Sequence, residues 1–208
     1  MRNQYFGDSR DVFKWSVILR LVRAHSIRTV LHVAMLRPDD GSGEGGTTHL
    51  PSVVEYPVRQ FFEAERRAFE RNSNLRDIRR IAELPTACGG GFGISVFDRT
   101  FNRVGYFDEV LDTIGALPSP ALVFLDPDTG MGQGKGVQRF KQIRVDEVGA
   151  VFAALRTGDV LALFQYKWRR AGWVRYLKEM FRGAVGGAAA EHVADRDPAL
   201  FSAVRGLP

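Results

Sequence analysis

Two carboxylates follow a short apolar segment near the middle of the chain. Residues 121–125 are all apolar and lead directly into Asp126, Pro127 and Asp128. An uninterrupted apolar run that stops at turn residues is typical of a strand buried on both faces of a parallel sheet. Because open α/β sheets bind ligands beyond the carboxyl ends of their strands, Asp126 and Asp128 are the first candidates for catalytic residues.

The same two aspartates are candidates for a metal site. Carboxylates separated by one residue can both reach a divalent cation when a turn directs them to one side, and Mg²⁺ and Mn²⁺ prefer oxygen ligands. The simpler role for the pair is to cap the next element. Lys167 follows another apolar strand, predicted at residues 160–165. There it would bind a phosphate or polarise an oxygen as a third catalytic group, and an ordinary surface lysine is the alternative.

A glycine-rich loop supplies the second set of candidates. Asp39, Asp40, Gly41 and Gly43 lie in the most glycine-dense stretch of the sequence, directly after a predicted strand at residues 29–35. Carboxylates in such a loop bind a ribose or a metal, and they are equally common as turn formers. We interpret these four residues as a cofactor-binding loop.

Asp8 and Asp11 stand at the start of a predicted helix that ends at about Ala24. Their spacing fits an N-cap residue followed three residues later by an acid, and the helix dipole favours carboxylates in this turn. The functional alternative places Asp8, Asp11 and Lys14 among the cofactor-binding residues.

Basic residues form two clusters, at residues 59–80 and 167–182, in a chain of net charge +5 and pI near 9.6. Such clusters neutralise phosphates, and an exposed tryptophan stacks on bases. Solvated, arginine-rich helix faces would look the same in sequence. The predicted nucleic-acid contacts are Arg66, Arg67, Trp168, Arg169 and Arg170.

Composition limits the class of protein. A chain of 208 residues with one cysteine, Cys88, cannot form an internal disulfide framework, which favours a reducing compartment. No segment reaches membrane-spanning length, and the first residues lack the apolar core of a signal peptide. We expect a cytoplasmic protein with no membrane association, folded as a single domain over residues 1–208.

Strands and helices alternate along the chain. Besides those already named, strands are predicted at residues 94–97, 121–125, 189–193 and 199–204, and helices at 55–72, 75–84, 104–117, 146–155 and 172–181, with a glycine-rich loop at 130–136. This order predicts an α/β fold, a doubly wound and mostly parallel sheet with helices on both faces. The last two strands predict a C-terminal hairpin that adds an antiparallel edge strand.

This order of elements resembles the class I S-adenosylmethionine-dependent methyltransferases, which have a Rossmann-like sheet with a reversed last strand. Residues 31–36 and the acidic, glycine-rich loop after them take the place of the family's cofactor loop. Asp126-Pro127-Asp128 takes the place of its aspartate–proline catalytic motif. The resemblance implies S-adenosylmethionine as cofactor and Asp126 as the residue that orients the acceptor.

The chain also resembles a little-characterised group of bacterial and phage proteins. The shared strings are residues 3–8 with Asp11 and Lys14, then residues 38–41, then residues 124–130. This second resemblance implies no particular activity.

Four functions remain open from the sequence. We favour a methyltransferase-like transferase that modifies nucleic acid. A metal-dependent sugar transferase would use Asp126 and Asp128 to hold the cation of a nucleotide-sugar diphosphate. A metal-dependent nuclease would use Asp39 or Asp126 with Lys167, although Gln165 stands where the usual core has an acid. The fourth is a Rossmann-like domain that binds nucleic acid without catalysis.

Overall fold

A computed structural model describes residues 1–39, 49–72, 76–132 and 140–206. In chain order its strands are β1 Thr29–Val33, β2 Gly93–Phe97, β3 Ala121–Leu125, β4 Gly130–Gly132, β5 Gln142–Arg144, β6 Val160–Tyr166, β7 Ala190–Ala194 and β8 Pro198–Val204. Six of them form one sheet in the order β2-β1-β3-β6-β8-β7. The described part of the chain is therefore an α/β fold with β1 and β3 near the centre of the sheet.

The strands β2, β1, β3 and β6 are mutually parallel, and β8 is antiparallel to both of its neighbours. The predicted C-terminal hairpin and the reversed last strand are confirmed. The position of the reversed strand differs from the prediction, because β8 lies one place inside the edge. It pairs with β6 from Val160↔Val204 to Tyr166↔Pro198, so the edge strand β7 runs parallel to β6.

The helices are α1 Ser9–Ala24, α2 Tyr56–Arg71, α3 Leu84–Ala87, α4 Tyr106–Gly115, α5 Val145–Ala154 and α6 Trp173–Ala184. Helices α1 and α2 pack on one face of the sheet, and α4, α5 and α6 pack on the other. The doubly wound, Rossmann-like arrangement is confirmed. The helix predicted at 75–84 is instead a 3-10 helix, Ile78–Glu83, followed by α3.

Strand β3 shows why a continuous apolar run was needed. Side chains alternate between the two faces of a strand, so Leu122 and Phe124 join the core under α1, whereas Val123 and Leu125 join the core under α4–α6. Every residue of β3 is buried. The prediction of a strand covered on both faces is therefore confirmed.

Part of the predicted loop at residues 130–136 forms regular structure. Gly130–Gly132 is the short strand β4, which pairs in parallel with β5, and residues 133–139 lie outside the described part of the chain. None of the helices within the described ranges is both long and apolar enough to cross a membrane.

Candidate functional site

The candidate site lies where β1 and β3 end side by side. Val33 pairs with Leu125 in the last register position, and the amide of Asp126 donates a hydrogen bond of 3.0 Å to the carbonyl of Val33. The chain passes from β1 to β2 on one side and then crosses back past β1 to β3 on its other side. Such a reversal of strand order opens the crevice in which α/β proteins bind ligands.

A group of ionisable side chains is buried beneath this edge, and we call it the Lys14 cluster. It consists of Asp11 and Lys14 on α1, His32 on β1, and Asp126 after β3. The Nζ atom of Lys14 lies 3.0 Å from a carboxylate oxygen of Asp11 and 3.0 Å from Oδ2 of Asp126. Nε2 of His32 lies 3.2 Å from the same Asp126 oxygen. The cluster ties the start of α1 to the Asp126-Pro127 turn.

Electrostatics make Lys14 and Asp126 a buried ion pair. Burial alone would lower the pKa of Lys14, but the carboxylates of Asp126 and Asp11 outweigh it and raise that pKa above its usual value. Burial likewise opposes ionisation of Asp126, yet Lys14 and His32 hold its pKa below the usual value. Burial raises the pKa of Asp11, and the charge of Asp126 adds to the rise. Asp126 is therefore the ionised partner of Lys14.

Asp126 is only 1% exposed and is directed towards α1. Its Oδ2 atom is taken by Lys14 and His32, and its buried Oδ1 atom has no hydrogen-bond partner. Asp128 is more accessible, and its Oδ2 atom lies 3.0 Å from Nη1 of Arg37. The predicted pairing of Asp126 and Asp128 around one cation differs from this arrangement, because each aspartate already binds a different positive side chain.

Across the described residues there is no group of three or more histidine, cysteine, aspartate or glutamate side chains that could hold a metal ion. The divalent cation is therefore still a prediction, as is the catalytic role of Asp126.

Asp8 caps α1, and Asp11 binds the backbone of the turn before it. Oδ1 of Asp8 accepts hydrogen bonds from the amides of Arg10 and Asp11, at 2.9 and 3.1 Å. Oδ2 of Asp11 accepts one from the amide of Gly7 at 2.9 Å. The N-cap prediction is confirmed for Asp8, and this role accounts for the residue type at that position. Their part in cofactor binding stays a prediction.

Asp8 carries a testable pH dependence. Burial, reinforced by the charge of Asp11, raises the pKa of Asp8 from 3.8 to about 7. The folded protein thus binds a proton that the unfolded chain has released, so stability falls as the pH rises between these values. For this group the expected loss from pH 6 to pH 8 is about 1 kcal/mol of unfolding free energy.

Asp8→Asn retains a good N-cap residue and removes this titration. Urea unfolding at pH 6, 7 and 8 should therefore show a shallower loss of stability in D8N than in the wild type. The charges of Asp8 and Asp11 interact, so the difference between the two proteins reports the titration of Asp8 together with its effect on Asp11. Identical pH profiles would contradict a titrating Asp8.

Lys167 is not placed beside Asp126. It is 48% exposed, and its ammonium group lies 3.4 Å from a carboxylate oxygen of Asp197, in the turn between β7 and β8. Lys167 therefore does not have Asp126 as a neighbour, as its predicted role in the crevice requires. Its catalytic role stays a prediction.

Gln165 positions the segment after Asp128. Its buried Oε1 atom accepts a hydrogen bond of 2.8 Å from the amide of Met131, and Nε2 donates to the carbonyls of Thr129 and Tyr166. The side chain thereby joins β6 to β4. This role was not predicted from the sequence, where its signal is a glutamine that ends an apolar strand.

The backbone of Met35, shortly after β1, already forms hydrogen bonds within the chain. Met35 adopts φ = 45°, a left-handed conformation that is unusual for a side-chain-bearing residue. Its amide donates to the hydroxyl of Tyr106 at 3.1 Å, and its carbonyl accepts from the amino group of Met1 at 2.9 Å. Asp39 accepts a hydrogen bond from the amide of Gln4 at 3.3 Å. The predicted loop residues Asp40, Gly41 and Gly43 lie outside the described part of the chain.

Asp98 is a site candidate that the sequence analysis missed. It directly follows β2, the parallel neighbour of β1, so it lies on the same edge of the sheet as Asp126. Its side chain is 39% exposed and lies 3.7 Å from Arg79. The available signal was an acid immediately after the strand predicted at residues 94–97.

The two basic clusters flank the start of α1 at this same edge. Gly7, next to the cap of α1, is so close to α2 that a Cβ atom there would lie 3.0 Å from Phe69 and 3.9 Å from Cγ of Arg66. At the end of β6, the guanidinium of Arg10 lies 4.8 Å above the ring of Tyr166. The start of α1 therefore stands between the end of α2 and the end of β6.

The side chains predicted to contact nucleic acid differ in exposure and in their contacts with neighbouring residues. Arg66, Arg67 and Arg169 form no ion pair with any described residue, and Arg67 and Arg169 are exposed. Arg170 lies over the ring of Tyr176, and Trp168 packs against that ring. Other cations of the first cluster are neutralised locally, namely Arg59 by Glu63, Arg79 by Asp77 and Arg80 by Glu65.

No protein-family model matches the chain, and no curated protein matches its sequence. Among solved structures, the chain is similar to one described as "Crystal structure of a putative O-methyltransferase from Klebsiella pneumoniae". The TM-score is 0.36 and the identity 13%, over 93% of this chain and 80% of that one. A similarity of this size leaves the function to be inferred from the geometry of the chain itself.

Proposed function

We propose that this protein is a methyltransferase-like transferase that takes a methyl group from S-adenosylmethionine and acts on nucleic acid. The observation that carries the proposal is the convergence of acidic strand ends and two basic clusters on one edge of a Rossmann-like sheet. Ligands bind at this edge in open α/β folds, and basic side chains around it would hold a phosphate backbone.

The described residues fit the ribose part of the cofactor. Asp98 offers an accessible carboxylate at the end of β2, and a carboxylate in this position accepts hydrogen bonds from ribose hydroxyls. The backbone groups of Met35 and the amide of Arg37 already have partners. Further contacts must come from other groups, and Asp39 is a candidate on the described side of the loop. When bound, the cofactor supplies an electrophilic methyl group.

This chain's own residues would position the acceptor. Asp126 is held by Lys14 and His32, and therefore fixes the turn at Pro127 from beneath. Asp128, on the accessible side of the turn, is the carboxylate that can approach an acceptor once Arg37 moves aside. Gln165 anchors the following residues to β6. The turn is thus preorganised, which is what an orienting group requires.

A second candidate is a non-catalytic domain that binds nucleic acid. The burial of Asp126 favours it, because a carboxylate engaged beneath the sheet cannot itself contact an acceptor. The sugar-transferase alternative requires both aspartates on one cation, and they bind Lys14 and Arg37 instead. The nuclease alternative lacks its second acid, because that position holds Gln165. The side chain of Gln165 is hydrogen-bonded to backbone groups of Met131 and Thr129.

Transfer of a labelled methyl group from S-adenosylmethionine to DNA and to RNA distinguishes the two candidates. We expect incorporation into one of them, and a loss of at least about tenfold in Asp128→Ala, from the removal of one charged orienting group. The matched control is Asp112→Ala, which removes an aspartate of helix α4, away from the turn, and should retain wild-type incorporation. Nucleic-acid binding without incorporation would instead establish the non-catalytic domain.

A further inference from the structure

A partly exposed group of aromatic and arginine side chains lies where β6 ends and α6 begins, and we call it the stacking platform. It consists of Tyr166, Trp168, Arg170 and Tyr176, with Arg10 reaching over from α1. The guanidinium of Arg170 lies 4.2 Å from the ring centre of Tyr176. The rings of Trp168 and Tyr176 are 5.8 Å apart and inclined by 44°.

We infer that this platform binds unpaired bases of single-stranded nucleic acid. Flat aromatic and guanidinium groups stack on bases whose faces are open, and in a duplex those faces are covered by neighbouring base pairs. Tyr176 is 38% exposed although it is a large aromatic residue. The inference deepens the proposed function, since it rests on a nucleic-acid partner and names the form of that partner.

Charge around the platform supports the same ligand. Arg169, Arg175 and Lys178 have no ion-pair partner within the described ranges of the chain, and the first two are exposed. Uncompensated cations beside stacking rings are what a single strand requires, because each nucleotide brings both a base and a phosphate. A platform that merely covered the core would not need three unpaired positive charges beside it.

Binding of a single-stranded oligothymidine and of a duplex of equal length tests the inference, with intrinsic tryptophan fluorescence as the signal. Trp15 and Trp173 are buried, so quenching by the single strand should be lost in Trp168→Phe. Tyr176→Ala should weaken single-strand binding by about tenfold, in keeping with the loss of one stacked base. Tyr56→Ala removes a tyrosine that is 69% exposed at the start of α2, and it should bind like the wild type.

The outcomes separate the two levels of the proposal. Tighter binding of the single strand, with the losses stated above in variants that melt like the wild type, supports the platform. Equal or tighter binding of the duplex, or an unaffected Y176A, overturns the platform and leaves a nucleic-acid partner in place. Failure of both nucleic acids to bind overturns the platform and the nucleic-acid part of the proposed function, while binding of the methyl donor is measured independently.

Discussion

Replacing Lys14 with methionine is expected to lower the free energy of unfolding by about 3–5 kcal/mol, as is typical when one member of a buried ion pair is removed. Methionine fills much of the space of the lysine stem but leaves Asp11 and Asp126 buried without their shared cation. His32 remains as a partner of Asp126, but it contacts the same oxygen, Oδ2, that Lys14 contacts in the wild type. Urea unfolding at neutral pH measures the loss.

Two variants make this prediction specific. Lys178→Met removes a lysine without an ion-pair partner among the described residues, and it should change stability by less than about 0.5 kcal/mol. Asp126→Asn, combined with Lys14→Met, removes one of the two carboxylates that lost their cation, so the double variant should lose clearly less than the sum of the single losses. Additive losses, or a loss in K14M no larger than that in K178M, would contradict the buried ion pair.

Gly130→Ala is expected to cost about 3 kcal/mol, from the strain of a left-handed alanine together with the loss of a buried hydrogen bond. Gly130 has φ = 99°, and a Cβ atom on it would overlap the carboxamide of Gln165. That carboxamide accepts the hydrogen bond of Met131 and donates to Thr129. To make room, Gln165 must release the segment that follows Asp128.

Gly187→Ala is the matched control for this change. Gly187 also has a positive φ, of 82°, but a Cβ atom there would meet nothing within 4 Å. It should therefore show only the backbone cost, about 1–2 kcal/mol. In a Gln165→Ala background the additional cost of G130A should disappear. Equal losses for G130A and G187A in the wild-type background would show that Gln165 does not hold the segment after Asp128.

The fold was largely predictable because its signals are local. The apolar runs that became β3 and β6, and the N-cap residue Asp8, specify their elements within a few residues of sequence. The placement of β8 inside the sheet was not predictable in this way. It depends on which long-range pairing buries more surface, and neighbouring elements in the sequence do not reveal that.

The site was predictable only in its residue types. Asp126, Asp11 and Lys14 were each recognised as candidates, but their contact spans a separation of 112 residues between Lys14 and Asp126. Sequence also could not show that Asp126 points beneath the sheet while Asp128 stays accessible, because a turn with two aspartates permits either orientation. Gln165 and Asp98 were missed because a single polar residue at a strand end has no distinctive spacing.

Calorimetric titration with S-adenosylmethionine tests most directly whether this edge of the sheet binds a methyl donor. We predict saturable binding at one site, weakened about tenfold or more in Asp98→Ala by the loss of a charged hydrogen bond to the ribose. Asp108→Ala, on the exposed side of α4, should bind like the wild type. Absence of saturable binding to the folded wild-type protein at millimolar ligand would contradict the proposed transferase.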